Sequence, residues 1–316
     1  MKNALRIVFM GTPEFAVSIL DQLIKHSYRV VGVITAPDKP AGRGRKLHES
    51  AVKTYAKAKG LPLLQPTNLK NEAFLKALEA LDANLQIVVA FRMLPKVVWQ
   101  MPELGTFNLH ASLLPHYRGA APINWAIING ETQTGVSTFF IDEKIDTGAM
   151  ILQEAIAIQP KENAGQLHDK LMHLGAKLVV ETVKLIAAGK VTTTPQSDIK
   201  DHKTAYKLNK ENCRINWTTD AEAIYNLIRG LNPYPAAWSM LYTNGEELNV
   251  KIYDAEFIED HHHLETGRLI ITKDSIKVAI EKGFMSLLEI KLPGKRKMDV
   301  KSLLNGYDFK SDAKMR

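Results

Sequence analysis

A chain of 316 residues exceeds the usual reach of one hydrophobic core and predicts about two domains. Hydrophobic residues make up 45% and charged residues 24%, as in ordinary globular proteins, and charges interrupt every apolar run before the roughly 18 residues a membrane span needs, so no membrane association is expected. Cys213 is the single cysteine, which excludes an internal disulfide and fits a reducing cytoplasm; the N-terminal stretch MKNALRIVFMG is broken by Arg6 and has no small-residue cleavage site, unlike a secretory leader.

The net charge of +7 is not a basic tail: residues 1–206 carry 24 Lys and Arg against 18 Asp and Glu, and residues 207–316 carry 17 against 16. Two clusters stand out, one at 38–46 (Lys39, Arg43, Arg45 and Lys46) and one at 291–301 (Lys291, Lys295, Arg296, Lys297 and Lys301). The plain reading is solvated charge on loops; the functional one is a pair of contacts on a polyanion such as a nucleic acid.

Residues 5–10 read as a buried strand ended by Gly11, after which Thr12 is expected to cap a helix over 15–26 with Pro13 at its first position. Strand 28–35, helices near 50–59 and 72–81, and strand 85–90 continue a strand–helix alternation that predicts a parallel sheet. The turn Gly11-Thr12-Pro13-Glu14-Phe15-Ala16 lacks the second and third glycines of a dinucleotide fingerprint, so a nicotinamide enzyme is disfavoured. Residues 36–47, APDKPAGRGRKL, are longer than a typical βα loop and combine two prolines, two glycines and four basic residues, a composition that can be mobile when free and ordered by a negatively charged partner.

Strands follow at 135–141 and 150–158, separated by the polar loop 142–148 that carries Asp146, and a helix spans about 164–188 before Gly189. Residues 191–203 lack periodicity and read as a linker. A helix near 221–230 and alternating segments at 237–242, 250–256, 267–271, 275–280 and 287–292 predict a small β-barrel or sandwich. His261-His262-His263 reads as a solvated turn.

The stretch that concentrates chemistry is 106–122, TFNLHASLLPHYRGAAP. Asn108 and His110 are two apart, so on a strand both point to one face, and the polar loop beyond them lies where open α/β sheets place their active sites.

These segments together resemble the methionyl-tRNA formyltransferase family over nearly the full chain. The resemblance rests on Gly11-Thr12-Pro13-Glu14-Phe15-Ala16, Gly42-Arg43-Gly44-Arg45-Lys46-Leu47, Asn108-Leu109-His110-Ala111-Ser112-Leu113-Leu114-Pro115 and Tyr117-Arg118-Gly119-Ala120-Ala121-Pro122. Asp146-Thr147-Gly148, Thr194-Pro195-Gln196 and Asn232-Pro233-Tyr234-Pro235-Ala236-Ala237-Trp238 follow in the same order. It implies a Rossmann-like α/β catalytic domain (1–190), a linker (191–208) and a C-terminal OB-like β-barrel (209–316) that helps hold tRNA.

The resemblance further implies that Asn108, His110 and Asp146 are catalytic, with Ser112, Leu113, Leu114 and Pro115 in the folate site and 10-formyltetrahydrofolate as formyl donor, without a metal. A fixed amide and an imidazole suit an oxygen on which charge develops, and Asp146 would orient His110 and, directly or through water, take the proton lost by the attacking ammonium. The implied acceptor is initiator methionyl-tRNA, with Arg43, Arg45, Lys46, Lys295, Arg296 and Lys297 as its contacts and a monomer as the working state. His116, Phe91-Arg92-Met93, Lys144 and Ala149 depart from the family pattern, and none removes a reacting group. Formyl transfer to an amino sugar nucleotide, and a tRNA-binding protein with a relic pocket, are the competing readings.

Overall fold

Leu85–Val89 is buried at every position and Arg6–Gly11 at all but its first, the pattern of strands covered on both faces. The computed structural model describes residues 5–41, 46–197, 201–243, 245–310 and 312–316, with side chains for all of these except 40, 41 and 46. Two compact units emerge, one from residues 1–119, 134–156 and 168–204, the other from 120–133, 157–167 and 205–316.

The first unit holds a seven-stranded sheet in the order Met150–Ala157, Gln133–Phe140, Thr106–His110, Leu85–Val89, Arg6–Gly11, Arg29–Ile34, Leu63–Leu64. The five strands from Thr106–His110 onward are mutually parallel, whereas Gln133–Phe140 runs antiparallel to Thr106–His110. The sheet is therefore mixed, with its antiparallel part toward one edge. An apolar run reveals a buried strand but not its direction. Successive strands leave Arg6–Gly11 first on one side and then on the other, and at such a reversal the carboxyl ends of the strands open a crevice.

Local sequence explains the helices. Glu14–Lys25 buries Phe15, Ile19 and Leu23 at helical spacing, and Ser50 and Asn71 cap Ala51–Ala58 and Glu72–Glu79 by accepting hydrogen bonds from the Lys53 and Phe74 amides. Thr12 does not cap the first helix. Pro13 occupies that position in an extended conformation (φ −80°, ψ 176°) without a side-chain cap, since its fixed φ suits the cap as well as the first helical turn. In the long helix Ala164–Ala187, Gly175 lies over Leu109, where a Cβ would come within 2.7 Å of the leucine side chain. That close approach seats the helix against the strand carrying Asn108 and His110.

The described residues on either side of 42–45 are paired as strands. Lys39–Ala41 pairs antiparallel with Lys46–His48, and Asp38 at its base accepts hydrogen bonds from Lys53 Nζ (2.5 Å) and Gln65 Nε2 (2.9 Å). Arg43 and Arg45 lie outside the described residues.

In the second unit, Ala237–Thr243 alternates strictly between buried and half-buried positions, the mark of a sheet with one face on a core. Its antiparallel sheet runs Leu269–Ile271, Ile276–Ile280, Gly283–Lys291, Glu246–Glu259, Ala237–Thr243, Lys314–Met315. The two ends meet: Leu269 N–H donates to Ala313 O (3.1 Å) and Met315 N–H to Gly267 O (2.8 Å), closing a barrel. Gly267 has φ +86° and a Cβ there would lie 2.1 Å from Met315 O, so closure requires glycine. The core includes Trp217, Ile224, Ile228, Leu241, Val250, Met285 and Leu287, with helix Ala221–Leu231 packed on it.

His262 is not a solvated turn residue. Its Nε2 donates to Gly283 O (2.8 Å) and its ring stacks on Phe284, so it is part of the barrel wall. Among the described residues no helix is long and apolar enough to cross a membrane.

Candidate active site

His110 ends the strand Thr106–His110 and is only 7% exposed, while Asn108, on the same strand, is half-buried. Parallel pairing with Leu85–Val89 fixes their position at the carboxyl edge of the sheet, and antiparallel pairing sets Asn108 opposite Phe139 and His110 opposite Ser137. The Asn108 carboxamide has no hydrogen-bond partner among the described residues.

The His110 ring is oriented by a backbone carbonyl. Nε2 lies 2.7 Å from Tyr117 O, and a carbonyl can only accept, so Nε2 carries the hydrogen and the neutral ring presents its lone pair at Nδ1. Nδ1 is 3.7 Å from Asp146 Oδ2, too far for a hydrogen bond and close enough for an imidazolium to be stabilised there. Tyr117, not Asp146, thus supplies the bond that fixes the tautomer.

Asp146 is held at both its side chain and its main chain. Its Oδ2 accepts the Gly119 N–H (3.0 Å), and its carbonyl accepts Gln196 Nε2 (2.9 Å). Its φ of +55° is left-handed, a conformation that costs a non-glycine residue roughly 1–2 kcal/mol and that aspartate tolerates better than most. The loop around it is ordered by Asp142, which accepts hydrogen bonds from the Lys144 N–H (3.0 Å) and the Thr147 hydroxyl (2.7 Å), and by an ion pair of Glu143 with Lys96.

Residues 112–115, which the resemblance places in the folate site, form a loop held to the neighbouring strands by buried hydrogen bonds. Ser112 is fully buried and its hydroxyl donates to His116 O (2.7 Å), and Leu114 is buried too, so neither presents its side chain to solvent. Leu113 packs against Gly135, where a Cβ would lie 2.5 Å from Leu113 Cδ2. The loop hangs on Ser137, whose hydroxyl donates to Ser112 O (2.7 Å) and accepts the Leu114 N–H (3.2 Å) and Gln153 Nε2 (2.8 Å). Leu113 and Pro115 are the half-buried side chains of the segment.

Tyr117 and Gly119 fall in a motif of the resemblance, but their backbone roles, like those of Ser137 and Gln153 in ordinary strand patterns, carry no signal in the sequence. Arg92 does not stand free at its strand exit: its guanidinium donates to Thr67 O (2.9 Å) and Pro66 O. Burial lowers its pKa from the usual arginine value.

Of the basic residues named above, Lys46 belongs to the ribbon but its side chain lies outside the described residues. Lys295, Arg296 and Lys297 are exposed at a turn of the barrel unit. Lys297 pairs with Glu289 (2.7 Å), and Lys295 lies over the Tyr307 ring. The same unit has a cavity of about 380 Å³ lined by Lys210, Lys251, Asn209 and Trp238 among others, with Lys210 and Arg214 over the Trp238 ring. Cations beside an aromatic ring suit phosphate and base together. Among the described residues no group of three or more His, Cys, Asp or Glu side chains is arranged to hold a metal ion.

Comparison with known proteins places the chain in a family. Residues 5–183 match the formyl transferase family model and residues 207–308 the formyl transferase C-terminal domain model. The methionyl-tRNA formyltransferase of Flavobacterium johnsoniae is 67% identical over 98% of this chain and 99% of its own, and that of Bacteroides fragilis is 52% identical over 100% and 99%. Among solved structures, the sugar 3N-formyl transferase WlaRD superposes with a TM-score of 0.64 at 19% identity, covering 93% of this chain and 100% of its own. HypX from Aquifex aeolicus in complex with tetrahydrofolic acid gives 0.64 at 18%, over 96% of this chain and 47% of its own. These two likenesses are of fold. With both domain models matched and two-thirds identity sustained from end to end, the chain belongs to the methionyl-tRNA formyltransferase family.

Proposed function

We propose that this chain transfers the formyl group of 10-formyltetrahydrofolate to the free amino group of methionyl-initiator tRNA, giving N-formylmethionyl-tRNA for translation initiation. The observation that carries the reading is the pairing of His110 Nδ1 with Asp146 Oδ2 at 3.7 Å on the strand face that also bears Asn108. The 67% identity to a methionyl-tRNA formyltransferase supports the acceptor.

The donor, when bound, supplies an electrophilic formyl carbon. Asn108, with its amide free, donates a hydrogen bond to the formyl oxygen as negative charge gathers there. His110, its Nε2–H committed to Tyr117, accepts at Nδ1 the proton that the attacking amine loses. Asp146 then faces an imidazolium and offsets its charge until His110 returns that proton to the donor nitrogen as its bond to the formyl carbon breaks, so that tetrahydrofolate leaves and the neutral ring is restored. Residues 112–115 shape the folate pocket through Leu113, Pro115 and backbone.

Residues 1–190 form the catalytic domain in this reading, 191–208 a linker and 209–316 the tRNA-holding barrel, in a cytoplasmic monomer. Arg43, Arg45, Lys46, Lys295, Arg296 and Lys297 contact the tRNA backbone. Neutralising Arg43, Arg45 and Lys46 together weakens tRNA binding and lowers the slope of log affinity against log salt by about three, since each lost phosphate contact removes about one. A binding titration across salt concentrations measures this, and an unchanged slope assigns the ribbon no phosphate contact.

The decisive assay is time-dependent formylation of methionyl-initiator tRNA by the purified chain with 10-formyltetrahydrofolate, with elongator methionyl-tRNA and an amino sugar nucleotide as alternative acceptors. Preference for the initiator tRNA is expected. Formylation of the sugar nucleotide alone overturns the acceptor, and no transfer to any of them overturns the activity.

A further inference from the structure

The Thr-Pro-Gln segment at 194–196 has no part in the chemistry above, yet its last side chain reaches the acid of the site. Thr194 exchanges two backbone hydrogen bonds with Met150 (2.8 and 2.9 Å), which brings this late segment alongside the strand that follows the Asp146 loop. From there the Gln196 carboxamide spends both hydrogens of Nε2 on two carbonyls of that loop, Asp146 O at 2.9 Å and Gly148 O at 2.8 Å. Its Oε1 accepts from Arg118 Nε (3.1 Å) and from a terminal nitrogen of the same guanidinium (2.6 Å). Carbonyls only accept and guanidinium only donates, so the amide has one orientation.

Arg118 stands between the two residues that hold the reacting pair. Tyr117, before it, gives the carbonyl that fixes His110, and Gly119, after it, gives the N–H that fixes the Asp146 carboxylate. Gln196 therefore ties the main chain of Asp146 to the side chain of the very segment that positions both groups. A left-handed aspartate persists where its surroundings over-determine it, and these bonds do so.

We propose that Gln196, clamped by Arg118, is a positioning residue for formyl transfer that keeps the Asp146 carboxylate beside His110. This rests on the catalytic reading of His110 and Asp146 given above. Gln196 touches no reacting atom and acts through Asp146, so its loss slows the chemical step without weakening the hold on either substrate. A displacement of about 1 Å in a reacting group costs on the order of 10²-fold in rate.

Three variants test this in steady-state formylation of methionyl-initiator tRNA, with thermal melts alongside. Gln196→Met keeps the length and removes every polar contact. Gln196→Glu keeps acceptors for Arg118 but cannot donate to Asp146 O and Gly148 O. Arg118→Lys keeps the charge but loses the two-pronged contact. For both Gln196 variants kcat falls at least about tenfold while KM for tRNA and for 10-formyltetrahydrofolate stays within about twofold, and Arg118→Lys shifts kcat the same way by less. A merely structural role lowers the melting temperature and the fraction of active enzyme but leaves kcat per folded molecule unchanged. Parent-like kcat in either folded Gln196 variant, or a loss confined to KM, overturns the proposal. Should neither fold, an unchanged kcat in Arg118→Lys does so. An inactive parent chain would instead refute the underlying reading, so the two failures are distinguishable.

Discussion

Replacing Asn108, His110 or Asp146 with alanine lowers kcat for formyl transfer by about 10²–10⁴-fold each, with melting temperatures close to the parent's. The Asn108 amide has no partner among the described residues, so its removal disturbs no existing hydrogen bond and takes away only a donor that the transition state needs. His110 loses the Nδ1 lone pair and one hydrogen bond to Tyr117 O, and Asp146 loses the counter-charge 3.7 Å away. Because the three act on one proton and one developing charge, double variants fall far short of the product of the single losses. Kinetics with both substrates varied, paired with thermal melts, checks this. Near-normal turnover in all three variants would remove the mechanism.

Gly148→Ala damages both stability and rate. A Cβ at residue 148 would lie 1.6 Å from Phe140 O and 2.9 Å from Phe140 C, and both are backbone atoms of a strand paired into the sheet, which cannot yield as a flexible side chain would. The loop must shift instead, and with it go the Gly148 carbonyl that Gln196 holds and the Asp146 carboxylate. Forced overpacking of this kind costs about 3 kcal/mol, which lowers the melting temperature by several degrees, and kcat falls with it. Gly189→Ala serves as the control. Its φ of +62° is unfavourable for alanine, but nothing lies within 4 Å of a Cβ there, so the cost is about 1 kcal/mol and the rate is unchanged. Equal melts and equal rates for the two variants would show that the loop is not built on this contact.

The strands of the first unit and most of its helices were legible because their signals are local. Leu85–Val89 announces itself by four apolar residues in five, and Ser50 and Asn71 cap helices through amides three residues on. The shorter pieces were not legible: Leu63–Leu64 and Lys39–Ala41 are too brief to show a period and exist only because a neighbour supplies their hydrogen bonds. The barrel strands were visible as alternation, but Glu246–Glu259 is twice the length expected, since a bulge near Asp254 breaks the period without ending the pairing.

In the candidate site, the sequence by itself brought out the side chains proposed to react: Asn108 and His110 share a strand face by the two-residue period, and the polar loop with Asp146, singled out by the family resemblance, follows the next long strand. The tertiary structure alone decided how they are held. The bond that sets the His110 tautomer comes from a backbone carbonyl, the donor to Asp146 from a backbone amide, and the brace on Asp146 from Gln196, 50 residues along the chain. A backbone carbonyl or amide is the same in nearly every residue, and so its role is set by where the fold carries it rather than by its letter. The chemistry was therefore written in side chains, and its geometry in contacts between distant main-chain atoms.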